Sequence, residues 1–264
     1  YALLAVGRSL DGAIWGLAQS MIVTWFISWL AIRHFSVQNS SNNEDTNDDY
    51  QQEWIHLGWI TGLALIGQML ITNSDFILVK NFFSPEDAGL YAAVSVLGRI
   101  VYFGALPLTI VLVPLIARRQ ALNQPTRPIL IMLVAGGVGV CSLLILIALI
   151  FAPNVLGLLY GEVYVSAAML LAPYALAASL YTLTNLVITY QLALGSGGET
   201  FLPIIAGAAQ VLLVILFHES LVQVITIQIF LMGILFIAVL WRVLRQPSPE
   251  MMVVDTELIQ ESVK

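Results

Sequence analysis

The chain has 264 residues, of which 59% are hydrophobic and only 10% charged, with mean hydropathy +0.90 and a formal net charge of −6. A soluble domain of this size carries about a quarter charged residues, so a water-soluble globule is excluded and an integral membrane protein is implied. The net charge points to no acidic or basic partner: Glu44, Asp45, Asp48, Asp49 and Glu53 fall in one polar segment, and Glu250, Asp255, Glu257 and Glu261 in another. No basic patch of the kind nucleic acid requires is present.

Residues 1–11 (YALLAVGRSLD) are too short to span a bilayer and too apolar for a free loop. Tyr1 is followed by no signal-peptide pattern, so the segment is expected to be the outer end of an earlier helix in a longer protein. A first span is predicted from Gly12 to Ile32, with Trp15, Trp25 and Trp29 as interfacial rings. Arg33 and His34 stop it. The acidic stretch to Glu53 reads as a disordered linker. Its Asn39-Ser40-Ser41 matches a glycosylation sequon that nothing else in the chain supports.

A second span is predicted from Trp54 to Phe82 and a third from Glu86 to Ile116. In the turn between them Ser84 can cap, Pro85 suits the first helical position, and Glu86 and Asp87 complement the positive helix end. Pro107 and Pro114 suggest a kink or early break in the third span. Pro128 opens the fourth, with Gly136, Gly137 and Gly139 as close-packing positions, and Ala152-Pro153-Asn154 is expected to break it. The fifth runs from Val163 to Leu194 around Pro173, followed by a glycine-rich turn, Gly195-Ser196-Gly197-Gly198. Spans from Phe201 to His218 and from Leu221 to Leu244 complete the set, and a polar tail follows. About seven helices of some twenty apolar residues suit a hydrocarbon core of about 30 Å. The lengths exclude barrel strands of about ten residues. The fold class is all-α and polytopic, divided as 1–32, 33–53, 54–244 and 245–264.

Alternating the spans places Arg33, Arg118, Arg119, Arg127, Arg242, Arg245 and Lys264 on one side and only Arg8 and Lys80 on the other. By the positive-inside rule the linker and tail are expected in the cytoplasm.

Helical spacing gathers the polar residues of the spans into stripes: Thr61, Gln68, Thr72 and Asp75 in the second, Tyr91, Ser95, Arg99 and Tyr102 in the third, Tyr174, Tyr181 and Asn185 in the fifth. Such faces turn toward other helices or a watery cavity. Arg99 lies thirteen residues past Glu86, which at ~1.5 Å per residue is roughly 20 Å deep. Asp75, seven residues from the end of its span, lies only ~10 Å deep, which argues against a simple Asp75–Arg99 pair. Arg99 is expected to meet an anionic substrate, a partner carboxylate or a cage of carbonyls. Lys80 is expected to reach the outer headgroups.

The spans hold no HExxH, no GxSxG and no paired His and Asp, so no catalytic residues are assigned and the chain is not expected to be an enzyme. His34, His56 and His218 sit at span ends as interfacial residues. Cys141, the one cysteine, is expected to be a small core residue. No metal site or cofactor is expected.

The stretch DFILVKNFFSPEDAGLYAAVSVLGRI from Asp75, with its proline-containing exit to Ala117-Arg118-Arg119, resembles the polysaccharide exporter branch of the multidrug/oligosaccharidyl-lipid/polysaccharide flippase superfamily, the Wzx-type O-antigen flippases. A second segment, VLGLLYGEVYVSAAMLLAPYAL from Val155, is similar to the family's Leu-Tyr-Gly-Glu-x-Tyr region. The resemblance covers roughly residues 54–244. It implies the last span of a first lobe, the cytoplasmic linker and a second lobe of six helices. It also implies translocation of a polyprenyl-pyrophosphate-linked oligosaccharide across the cytoplasmic membrane for cell-surface polysaccharide assembly. Arg99 would then meet the headgroup, with Tyr91, Ser95 and Tyr102 beside it. Asp75 becomes a candidate for ion coupling, and Gln68, Thr72, Tyr181 and Asn185 for the cavity lining. Partners would be the lipid-linked oligosaccharide, membrane lipids and other polysaccharide-assembly proteins. The alternatives are a cation-coupled multidrug exporter of the same superfamily, or a membrane polymerase or ligase acting on lipid-linked glycans.

Overall fold

The structure, a computed structural model, describes residues 16, 18–30, 47–122, 124–195 and 201–245, with the side chains of 47–57, 60, 61 and 64 excepted. The N-terminal segment with Arg8, the Arg33–His34 stop, the sequon at Asn39, the turn residues after Gly195, the tail with Lys264 and the side chains of His56 and Thr61 lie outside the described residues. Two compact units divide the chain, 1–56 and 57–264.

In the first unit lies α1 (Ala18–Leu30), whose Trp25, Phe26 and Trp29 are exposed, Phe26 stacking on Trp29 at 6.0 Å. Helix α2 (Asn47–Phe82) starts before the division and belongs to the second unit from Leu57 onward. It is followed by α3 (Pro85–Ala121), α4 (Arg127–Tyr160), a 3-10 turn (Glu162–Ala167), α5 (Ala168–Ala193), α6 (Phe201–Leu216) and α7 (Leu221–Arg245). The described residues contain no strand, and the fold is all-α. Four segments are long and apolar enough to cross a membrane: α3, α4, α5 with its preceding turn, and α7. Against the seven spans expected, the described residues thus show four such helices, with α1 and α6 as shorter apolar helices.

Local sequence accounts for the ends. Ser84 Oγ accepts from the Asp87 amide at 3.1 Å and donates to its carboxylate at 2.8 Å, with Pro85 opening α3. Gly161, at φ 96°, closes α4 where a side-chain residue would be strained, and its amide donates to Gly157 O at 3.0 Å.

Three sequence expectations are corrected here. Helix α4 does not break at Pro153 but continues to Tyr160, and α3 shows no early break at Pro107 or Pro114, running to Ala121. A proline removes one amide donor, but unwinding in apolar surroundings would strand several backbone groups without water. The last part of the expected linker is helical, since α2 begins at Asn47. Of the three α4 glycines, only Gly137 packs closely, against Leu183; a Cβ at Gly136 or Gly139 would meet nothing within 4 Å.

In the second unit α5 is central, packing on α3, α4 and α7, while α6 lies on α7. Helices α2 and α6 approach through Gly67 and Gly207. A Cβ at Gly67 would lie 2.7 Å from Ile204 N, and one at Gly207 2.7 Å from Leu70 Cβ. Apolar side chains form two main clusters. One holds Leu112, Ile116, Leu130, Val187 and Val239 near the basic helix ends, and the other Val79, Tyr91, Leu156, Val214 and Val224 near the opposite ends. Leu146, Leu149 and Leu158 of α4 are exposed, as a lipid-facing surface requires.

Gly67→Val should force α2 and α6 apart at a cost of about 1–3 kcal/mol, lowering the thermal midpoint of the purified protein. Gly136→Val, which enters open space, should leave that midpoint unchanged.

Candidate functional site

The site is built around Asp75, buried at 1% exposure on α2. A carboxylate taken out of water needs hydrogen-bond donors, and two tyrosines from different helices supply them. Tyr91 of α3 donates to Asp75 Oδ2 at 2.8 Å and Tyr174 of α5 at 3.1 Å. Their rings meet edge to face at 5.8 Å. The Tyr91 hydroxyl also lies 3.4 Å from Gln228 Oε1 on α7. One hydrogen serves one acceptor well, and the shorter contact is with Asp75. Tyr174 fits because residue 98 is glycine: any Cβ there would overlap the tyrosine ring. Asp75 Oδ1 has no hydrogen-bond partner although it is buried.

Arg99, on α3, donates from Nη2 to the Thr72 carbonyl at 2.9 Å, one helical turn before Asp75. Tyr174, which donates to the carboxylate, lines the same cavity as Arg99. No hydrogen bond joins Arg99 to Asp75, whose Oδ2 partners are the two tyrosines. As the difference in depth suggests, the two form no direct pair, although both line one cavity. Helical side chains lean toward the helix N-terminus, which for Arg99 is the end where α2 finishes. The guanidinium therefore reaches back toward the level of Asp75.

The cavity has a volume of about 400 Å³. Asp75, Arg99, Tyr102, Gln68, Thr72 and Tyr181 all line it. A neighbouring pocket of about 280 Å³ shares Gln68, Tyr102 and Tyr181 and adds Asn185, Thr184 and Thr109. The two spaces adjoin along the Gln68–Tyr102 hydrogen bond of 3.4 Å. One compartment is charged; the other holds neutral amides and hydroxyls.

Two residues of the expected site sit apart from both spaces. Tyr91 is fully buried behind Asp75, and Ser95 turns its hydroxyl to Ala92 O of its own helix at 2.9 Å. The spacing places Tyr174 on a polar stripe but singles out neither Gln210 nor Gln228. Gln210 is fully buried and donates to Ile71 O and Ser74 Oγ, each at 3.1 Å, tying α6 to α2, while its Oε1 is unpartnered. The signal was present: Gln210 is the single amide in an otherwise apolar α6. Among the described residues no three His, Cys, Asp or Glu side chains gather to hold a metal ion.

No protein-family model, curated protein or solved structure matches the chain. Fold and composition define a membrane-embedded all-helical protein. Its mid-helix cavity holds one guanidinium and one buried carboxylate.

Tyr91→Phe and Tyr174→Phe each remove one donor from Asp75 and should cost about 1–3 kcal/mol, read as a lowered thermal midpoint. Asp75→Leu in the Tyr91→Phe background should cost less than the sum of the two single changes, since the pair acts as one unit.

Proposed function

We propose that the chain forms the last span of the first lobe and the whole second lobe of a two-lobe flippase, carrying a polyprenyl-pyrophosphate-linked oligosaccharide across the cytoplasmic membrane for cell-surface polysaccharide synthesis. The carrying observation is Arg99, held on a backbone carbonyl at the wall of a cavity of about 400 Å³, with no hydrogen bond to the one carboxylate nearby. An arginine in mid-span costs about 2.5–3.5 kcal/mol on insertion scales, and its retention is explained by an anionic ligand. A guanidinium carries five donors in a planar fork, and those not used on Thr72 serve a pyrophosphate. The polyprenyl tail stays in lipid while the charged and hydroxylated headgroup needs a polar route. The motifs around Ser84 and Gly161 support the same reading through their resemblance to the flippase family, and the basic ends of α3, α4 and α7 support a cytoplasmic placement for that side.

Transport of a labelled polyprenyl-pyrophosphate oligosaccharide tests the reading. Arg99→Ala should reduce it about tenfold or more, the worth of one charge-assisted hydrogen bond, at unchanged abundance. Arg99→Lys should keep part of it, because a point charge lacks the paired geometry. Full transport by Arg99→Ala sinks the headgroup role. The cation-coupled exporter has one observation in its favour, the buried and unpartnered Asp75 Oδ1. In that case Asp75→Asn, and not Arg99→Ala, abolishes ion-driven export of a cationic dye.

A further inference from the structure

Charge is unevenly divided between the two ends of the bundle. Of the described side-chain carboxylates other than Asp75, Glu86 and Asp87 open α3, Glu162 follows α4 and Glu219 precedes α7. The opposite end holds Arg118 and Arg119 in the last turn of α3, Arg127 at the start of α4, and Arg242 and Arg245 in the last turn of α7. These helix ends lie together: Thr126 bonds Tyr190, near the end of α5, at 2.9 Å, and Ile116, Ile129 and Val243 share one apolar cluster. No carboxylate among the described side chains stands at this end.

At the elbow between α3 and α4 there is a pocket of about 330 Å³ lined by Leu115, Arg118, Arg119, Gln124, Ile129 and Met132, with Leu122 at its rim. It differs in chemistry from the central cavity. Arg119 is steadied by a hydrogen bond from Nη1 to Pro125 O at 3.4 Å. The α4 amides take little part, because residue 128 is proline and the Ile129 and Leu130 amides donate to Thr126 O. The positive charge is therefore guanidinium charge. Leu122 and Met132 are 56% and 60% exposed, so the same pocket offers an apolar lip beside a basic floor. A helix-dipole role for Arg118 and Arg119 accounts for their position at the end of α3. It accounts neither for the pocket nor for its apolar rim.

We infer that this elbow binds the phosphodiester headgroup of an anionic glycerophospholipid, with the acyl chains against Leu122, Met132 and the outer faces of α3 and α4. Basic pockets between spanning helices at a membrane surface are suited to such headgroups. The inference needs only a membrane-embedded chain and stands whether or not the central cavity carries a glycan.

The test is native mass spectrometry of the full chain released from phosphatidylcholine bilayers containing phosphatidylglycerol, counting retained phosphatidylglycerol molecules. Arg118→Gln with Arg119→Gln should lower retention about fivefold for each charge removed, and Gln124→Glu, an exposed loop change, should lower it without any loss of folding. Arg118→Lys with Arg119→Lys should retain the lipid. Arg242→Gln with Arg245→Gln should leave this retention intact. Added inorganic phosphate should fail to displace the lipid; displacement by free phosphate would show an anion site that does not read lipid. Equal retention of phosphatidylcholine, or unchanged phosphatidylglycerol retention in both the double glutamine variant and Gln124→Glu, overturns the proposal.

Discussion

The arrangement of the bundle depends on one constraint: Asp75 is buried, and a buried carboxylate must be solvated by protein groups. Its oxygen Oδ2 draws hydroxyls from α3 and α5 to the same point on α2. The Tyr91 hydroxyl extends the contact to α7, and Gln210 ties α6 to the same stretch of α2 through Ile71 and Ser74. Four helices thus converge on one turn of α2. Each hydrogen bond contributes about 1 kcal/mol net, whereas leaving a buried partner unsatisfied costs about 1–3 kcal/mol. The penalty for disorder specifies the arrangement more strongly than the bonds themselves stabilise it.

Small residues make that convergence possible. Gly98 leaves the space into which the Tyr174 ring fits, so the tyrosine can reach Asp75 and line the same cavity as Arg99. Gly67 and Gly207 let α2 and α6 approach at backbone distance, which brings the Gln210 amide within reach of Ile71 O. Close backbone approach through glycine is the usual means of packing helices where the surrounding lipid offers no hydrophobic driving force. The cavity lies where these glycine contacts and the buried polar groups leave space between the two apolar clusters.

The sequence revealed part of this. Ser84-Pro85-Glu86-Asp87 reads as a helix start because each residue answers a local need, and local needs survive folding. The stripe of Tyr91, Arg99 and Tyr102 is a matter of 3.6-residue spacing; Arg99 and Tyr102 line the cavity, while Tyr91 is buried behind it and bonds Asp75. Ser95 shares their spacing but bonds its own helix, since a small hydroxyl can be satisfied within a turn. What sequence could not supply is tertiary. Depth counted along a helix argues against a direct Asp75–Arg99 pair, and none forms, but only the fold shows both residues lining one cavity. Pro153 was read as a breaker by its own chemistry, while the apolar surroundings that keep α4 helical belong to the whole bundle. Gln210 and Gln228 each lie alone on their helices' buried faces, and their meaning comes only from what faces them.

The central claim is that an anionic lipid headgroup enters the cavity at Arg99, and photocrosslinking tests it most directly. A polyprenyl pyrophosphate bearing a photoreactive group beside the phosphates would be irradiated with the protein in bilayers, and the labelled peptides identified. Labelling of Gln68, Tyr102 and Phe103, competed by unlabelled polyprenyl pyrophosphate and lost in Arg99→Ala, is the predicted result. Labelling confined to the exposed face of α4 around Leu146 and Leu149, unaffected by Arg99→Ala, would contradict the account.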